Sequence, residues 1–276
     1  VFSGDFGAHP ALKAGGYFLA TLMLLLGIQS MYQKFYSART PKDARQAAAL
    51  WIVGTIVVEI VVVVIAVFAA ARFWEAGKDP ASMVLQAARY MVPAPVGILL
   101  LAAACAVVIS TGMNYLLSPS TNVVRDIVQQ FMGKKLEDRK LILLQKAVVV
   151  VLGLCAFAMI FIPTVLNRPI SVLRYSYFAY TMYGVSITPA LIAALAWKRA
   201  TRAGGITSIL SGAGLALILE LIVPAVWPQV MRGGDPWGIP SIYPALLVSI
   251  LALVVVSCLT PPPDRETVEK LFRSDA

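Results

Sequence analysis

The chain has 276 residues, 59% of them hydrophobic and 13% charged, and its 23 basic residues outnumber 14 acidic ones to give a net charge of +9. A soluble domain is nearer half apolar and a quarter charged, so this composition excludes a soluble globular enzyme, a disordered tail and a disulfide scaffold. The mean hydropathy of +0.80 points to an all-α polytopic membrane protein. Its excess positive charge is expected in loops on one side of a bilayer, in contact with lipid, and not on a nucleic acid.

A membrane-spanning helix needs about 20 mostly apolar residues. Seven segments qualify in chain order: 15–38, 46–71, 92–118, 141–162, 171–197, 204–224 and 240–260. The opening residues 1–14 are expected to form a loop, and 261–276 a charged tail after Pro261-Pro262-Pro263. The opening reads as internal to a longer sequence with no secretory leader pattern, so the chain is expected to be a fragment. Thr40, Pro41 and Asp43 together predict a helix start, with a hydroxyl cap, a proline at the first position and an acid at the third. Pro80, Pro93 and Pro95 bracket the loop before the third span, Pro163 and Pro169 the loop after the fourth, and Pro224, Pro228, Pro236 and Pro240 the loop after the sixth. Strand-like alternation is missing, so a barrel is not expected.

Segment 120–133 differs from the spans. Val123, Val124, Ile127, Val128, Phe131 and Met132 make one helical stripe, with Arg125, Asp126 and Gln129 opposite. This predicts an amphipathic helix at the membrane surface or against the bundle, or else a plain extension of the third span.

Basic residues set the orientation. Sixteen of them fall in 34–45, 125–146, 198–202 and the 265–273 tail. The other seven are Lys13, Arg72, Lys78, Arg89, Arg168, Arg174 and Arg232. The larger set is expected to be cytoplasmic, which places residues 1–14 outside and the C-terminus inside a cell (inner) membrane.

The candidate chemistry lies in the polar interruptions of the spans, because such residues are costly in lipid. Cys105, Cys155 and Cys258 sit in apolar runs without metal spacing and read as packing, and His9 carries no pattern. No His/Cys/Asp cluster suggests an enzyme or an organic cofactor. Ser110 and Thr111 are adjacent hydroxyls in the third span. Two readings are open for them: oxygen ligands for a small hard cation such as sodium, or hydroxyls bonded back to their own helix. Glu59 is the one acid near the middle of a span, on a face with Trp51 and Thr55 that is expected to turn inward. It is either a coupling-ion or proton site or a structural, hydrogen-bonded carboxyl. Glu220, near the end of the sixth span, reads as snorkelling. Gly27-Ile28-Gln29-Ser30 interrupts the first span, where Gln29 and Ser30 can meet a polar solute. The fifth span carries Tyr175, Tyr177, Tyr180 and Tyr183. Tyr180 is a candidate cavity residue, whereas Tyr175 and Tyr177 read equally well as an interfacial belt.

Three stretches resemble the sodium:solute symporter family, the group of sodium–glucose, sodium–proline and pantothenate carriers. They are Ser110 through Asp126, ending in an Asn-Val-Val-Arg-Asp run, Gly27 through Ala44, and Trp197 through Gly205. Their order and spacing also fit. The resemblance implies a leucine-transporter-type fold of two inverted five-helix repeats. Residues 15–197 would then be the second repeat (core helices 6 to 10) and 198–260 two accessory helices. It also implies a sodium site made by the hydroxyls of Ser110 and Thr111 with the carbonyl of Val107, and so favours the ion-ligand reading of that pair. Leu24, Leu25 and Leu26 stand where the sugar carriers place aromatic gating residues, which argues against a sugar-type gate. The function implied is sodium-coupled symport of a small polar solute by alternating access. The alternatives are a membrane sensor domain of the same fold and a proton-coupled carrier using Glu59.

Overall fold

The computed structural model describes residues 9–73, 82–133, 137–165, 172–264 and 268. Most of the expected 261–276 tail and of the opening 1–14 loop lies outside these residues. So do Lys78, Lys134, Lys135, Arg168, Arg265, Lys270 and Arg273 of the charge assignment, and the loop prolines Pro80 and Pro169. The described chain is all-α apart from a two-residue ribbon, and seven of its helices are long and apolar enough to cross a membrane. It divides into two compact units, Tyr32–Phe161 and the pairing of Val1–Met31 with Ile162–Ala276.

In the first of these units α3 (Pro41–Phe73) starts where the sequence predicts. The backbone N–H of Asp43 donates to Thr40 Oγ1 at 3.1 Å, and Thr40 Oγ1 donates to Asp43 Oδ2 at 2.8 Å. This ties down the first turn of a helix whose middle buries almost nothing. A short helix the sequence reading missed, α4 (Met83–Tyr90), joins α3 to α5 (Ala94–Asn122). Ala69, Met83 and Ala87 form the small core there, with Ile65, Ala70 and Phe73 packed around it. Helix α6 (Asp138–Val165) follows, and Gln145 Nε2 donates to Thr121 Oγ1 of α5 at 3.0 Å. Pro163 does not stop α6 as expected but sits in its last turn.

The 120–133 stripe continues α5 with no break. Nine residues, Val123–Phe131, adopt wider π-helical turns. Pro119 just upstream lacks an N–H donor, which favours such a local rearrangement. Val124 is buried, while Phe131 is 89% exposed. The extension reading therefore describes this segment.

The other unit is built on four long helices: α1 (Pro10–Gly27), α7 (Val172–Ala196), α8 (Arg202–Leu217) and α10 (Ile242–Leu259). Helix α7 packs on α1, α8 and α10, and α8 packs on α10. Ala20, Val185, Ala216, Ile242 and Ala245 make the shared core. Small residues let the backbones approach closely, as association in lipid requires. Pro189 inside α7 leaves the Val185 carbonyl without its helical donor. Helix α8 passes over that carbonyl with Gly212, where any Cβ would collide with it. Ser208 and Ser249, both fully buried, bond across α8 and α10 at 2.8 Å.

The Trp197–Gly205 stretch closes one end of this unit. Thr201 caps α8 by accepting from Gly204 N–H at 3.1 Å, and Arg199 donates to the Thr260 and Cys258 carbonyls at the end of α10. These bonds satisfy groups that helix ends leave open. At the other end, α8 runs through π-helical Ile218–Ile222 into α9 (Val223–Val226), and strands β1 (Met231–Arg232) and β2 (Asp235–Pro236) pair antiparallel.

Two expectations change here. Helix α1 begins at Pro10 and not at residue 15, so Lys13 is helical. Its charge is met by Asp235 at 3.4 Å, a partner invisible to local pattern. Glu220 does not snorkel but accepts a hydrogen bond from Ser241.

Candidate transport site

The interruption in the first span is a real break. Ile28 leaves the helix with φ −65° and ψ 120°, and α2 (Gln29–Tyr36) begins at the next residue. A broken helix presents carbonyls at the end of its first half and N–H groups at the start of its second. The two ends carry opposite partial charge. Gln29 and Ser30 open α2 and are half-buried.

Helix α7 holds this break. The Tyr183 hydroxyl donates to the Gly27 carbonyl at 3.2 Å and is hydrogen-bonded with the Gln29 backbone. The fully buried Thr188 donates from Oγ1 to the Met23 carbonyl at 2.7 Å. A Cβ on Gly27 would strike Thr188 Oγ1 and come within 3.0 Å of the Tyr183 ring, so glycine is required by close approach. Tyr180 lies a turn away, edge-on to Tyr177 at 5.7 Å, and Tyr177 stacks on Tyr17 at 4.0 Å. Gln29 and Ser30 thus come together with Tyr183 and Thr188, while Tyr180 joins an aromatic cluster. Thr188 carried no signal in the sequence beyond being a hydroxyl in a span.

In α5 the Ser110 hydroxyl donates to the Val107 carbonyl at 3.0 Å. Two of the three expected sodium ligands are therefore adjacent oxygens on one exposed helix face. Thr111 is exposed too and makes no side-chain hydrogen bond among the described residues. Ser120 and Thr121, lower on the same helix, both bond back to the Leu117 carbonyl. Among the described residues, no group of His, Cys, Asp and Glu could hold a transition metal. Glu59 lies mid-way along α3 and is exposed in this chain together with Trp51 and Thr55. It has no ion pair or hydrogen bond among the described residues.

The sequence model of the sodium:solute symporter family matches residues 15–212. The chain belongs to this family. It is 26% identical over 239 residues to the osmoregulated proline transporter OpuE of Bacillus subtilis, a match covering 84% of this chain and 46% of that protein. It is 29% identical over 192 residues to a sodium/proline symporter of Staphylococcus aureus, covering 67% of this chain and 35% of that protein. The chain thus spans less than half the length of the curated relatives it matches. No solved structure matches it. Family membership and the seven apolar helices together make this a multi-pass membrane protein of a transporter family.

Proposed function

We propose that this chain is part of a carrier that couples sodium entry to uptake of a small zwitterionic solute of the proline type. The helix break at Ile28 carries the reading. A solute carboxylate suits the N–H groups opening α2, and its cationic amine suits the carbonyl end of α1. The break lies at Gly27–Ser30, inside the matched family region, and two relatives are named for proline transport. Residues 15–197 serve as the second repeat of a leucine-transporter-type fold, with 198–260 as accessory helices. The uneven basic charge supports a cytoplasmic C-terminus and an extracellular start of α1.

Sodium binds at Ser110, Thr111 and the Val107 carbonyl in this reading. The Ser110 and Val107 oxygens are 3.0 Å apart. A cation between them requires only that the Ser110 hydrogen turn away, and Thr111 spends no hydroxyl on the backbone among the described residues. Gln29, Ser30 and Tyr180 line the solute path, joined by Tyr183. Alternation follows if ion and solute stabilise one access state over the other. In proteoliposomes, an inward sodium gradient is expected to drive uptake of labelled L-proline by the complete protein.

A second reading, proton coupling, rests on Glu59, a carboxyl midway along an apolar helix with no partner among the described residues. Under sodium coupling, Glu59→Gln keeps uptake and its pH profile, because the amide has the same shape. Loss of pH dependence, or net uptake stopped with exchange spared, would move coupling to Glu59.

A further inference from the structure

A cavity of about 350 Å³ opens where α7 ends and α8 begins, at the Trp197–Gly205 end of their unit. Its walls are small and apolar. Ala190 and Ala194 lie one turn apart on α7, Gly205 is one turn into α8, and Leu253 comes from α10. A Cβ on Gly205 would meet no atom within 4 Å, so the space beside it is open.

The mouth is aromatic and cationic, lined by Trp197, Lys198 and Arg202. Arg199, the other cation nearby, is spent on the Thr260 and Cys258 carbonyls. Lys198 has contacts of its own. Arg202 is exposed and makes no hydrogen bond or ion pair among the described residues. Asp264 lines a neighbouring hollow with Arg202 but does not pair with it. An available guanidinium and an indole therefore stand over an apolar furrow. Tryptophan favours the headgroup level of a bilayer, and a guanidinium matches a phosphate through two parallel bonds. Basic pockets between membrane helices on the cytoplasmic side hold anionic headgroups.

We propose that this cavity binds an anionic phospholipid. Arg202 takes the phosphate, Trp197 lies beside the glycerol region, and one acyl chain runs along Ala190, Ala194 and Gly205. The apolar walls call for a chain, which a free phosphate lacks. The cationic mouth calls for a net negative head and opposes a choline. The lipid bridges α7 to α8 and α10 and so stabilises their junction. The proposal takes from the carrier reading its assignment of this end to the cytoplasm, which places the lipid in the inner leaflet.

The test follows the thermal midpoint of the complete protein in detergent as phosphatidylglycerol or phosphatidylcholine of the same acyl chains is added. A ligand held by the folded state alone raises the midpoint as its concentration rises. Phosphatidylglycerol is expected to act at about tenfold lower concentration than phosphatidylcholine, the scale of one charge-assisted contact. Arg202→Gln is expected to raise the phosphatidylglycerol concentration for half the effect about tenfold. Gly205→Leu fills the furrow, where its Cβ meets open space, and is expected to abolish the effect while keeping the lipid-free midpoint. Arg45→Gln, an exposed cation outside the cavity, is expected to change nothing. Glycerol phosphate, a head without chains, is expected to have no effect.

Equal response to the two lipids overturns the proposal, and so does no response, the result for a cavity filled by the chain's own tail. An undiminished response in Arg202→Gln, or in a Gly205→Leu variant that keeps its lipid-free midpoint, also overturns it in favour of diffuse attraction. If Gly205→Leu lowers that midpoint by itself, Arg202→Gln decides alone. Stabilisation by glycerol phosphate equal to that by phosphatidylglycerol replaces the lipid with a free phosphate. The readout needs no transport. Absent sodium-driven uptake with the lipid response intact sinks the carrier reading alone, and the reverse sinks the lipid site alone.

Discussion

Replacing Ser110 or Thr111 by alanine in the complete protein is expected to raise the sodium concentration for half-maximal uptake about ten- to hundredfold. A sodium ion leaving water recovers its hydration from protein oxygens, and an unreplaced polar contact costs about 1–3 kcal/mol. Each 1.4 kcal/mol is a factor of about ten in affinity. The helix should tolerate both changes. Ser110 donates only to the Val107 carbonyl of its own helix, and both residues are exposed. High sodium should therefore restore part of the rate, as it would not if the protein had misfolded. Thr111→Ser keeps the oxygen and should be milder. If both alanine variants keep the sodium requirement of the parent, the hydroxyls are only satisfying their own backbone.

The second large effect is expected at the helix break. Gly27→Ala places a methyl against Thr188 Oγ1 and the Tyr183 ring. Overpacking of this kind costs about 1–3 kcal/mol. Displacing the Thr188 hydroxyl also loses its 2.7 Å bond to the Met23 carbonyl. The variant should show a lower thermal midpoint in detergent and a raised half-saturating solute concentration, since the break is held by the same contacts. Adding Thr188→Ala removes the atom struck by the new methyl. The double variant should be more stable than Gly27→Ala alone, a coupling expected only of residues in contact. Strictly additive losses would show that Thr188 does not set the room at Gly27.

The seven spans were legible because lipid demands long apolar runs, a signal that survives without any tertiary information. The Thr40–Asp43 cap was legible because its partners lie within one turn. The break at Ile28 was legible for a similar reason, as Gly27, Gln29 and Ser30 stand out in an apolar run. What escaped depended on partners distant in the chain. Lys13 looked like a loop residue because Asp235, which neutralises it, lies in another hairpin. Glu220 looked like a snorkelling acid because Ser241 follows an intervening loop. Helix α4 is too short for a spanning signal, and its packing on Ala69 and on α5 fixes it. Tyr180 and Tyr183 are three residues apart and so share roughly one helix face. Sequence could not say which of them reaches the Gly27 carbonyl.

Sodium coupling is the central claim, and the energy source of uptake tests it most directly. Proteoliposomes carrying the complete protein would be given, in turn, an inward sodium gradient and an inward proton gradient of equal size, each with its own ionophore control. The account predicts that labelled L-proline accumulates above its external concentration with the sodium gradient and falls when a sodium ionophore dissipates it. Accumulation that follows the proton gradient and ignores sodium would contradict it.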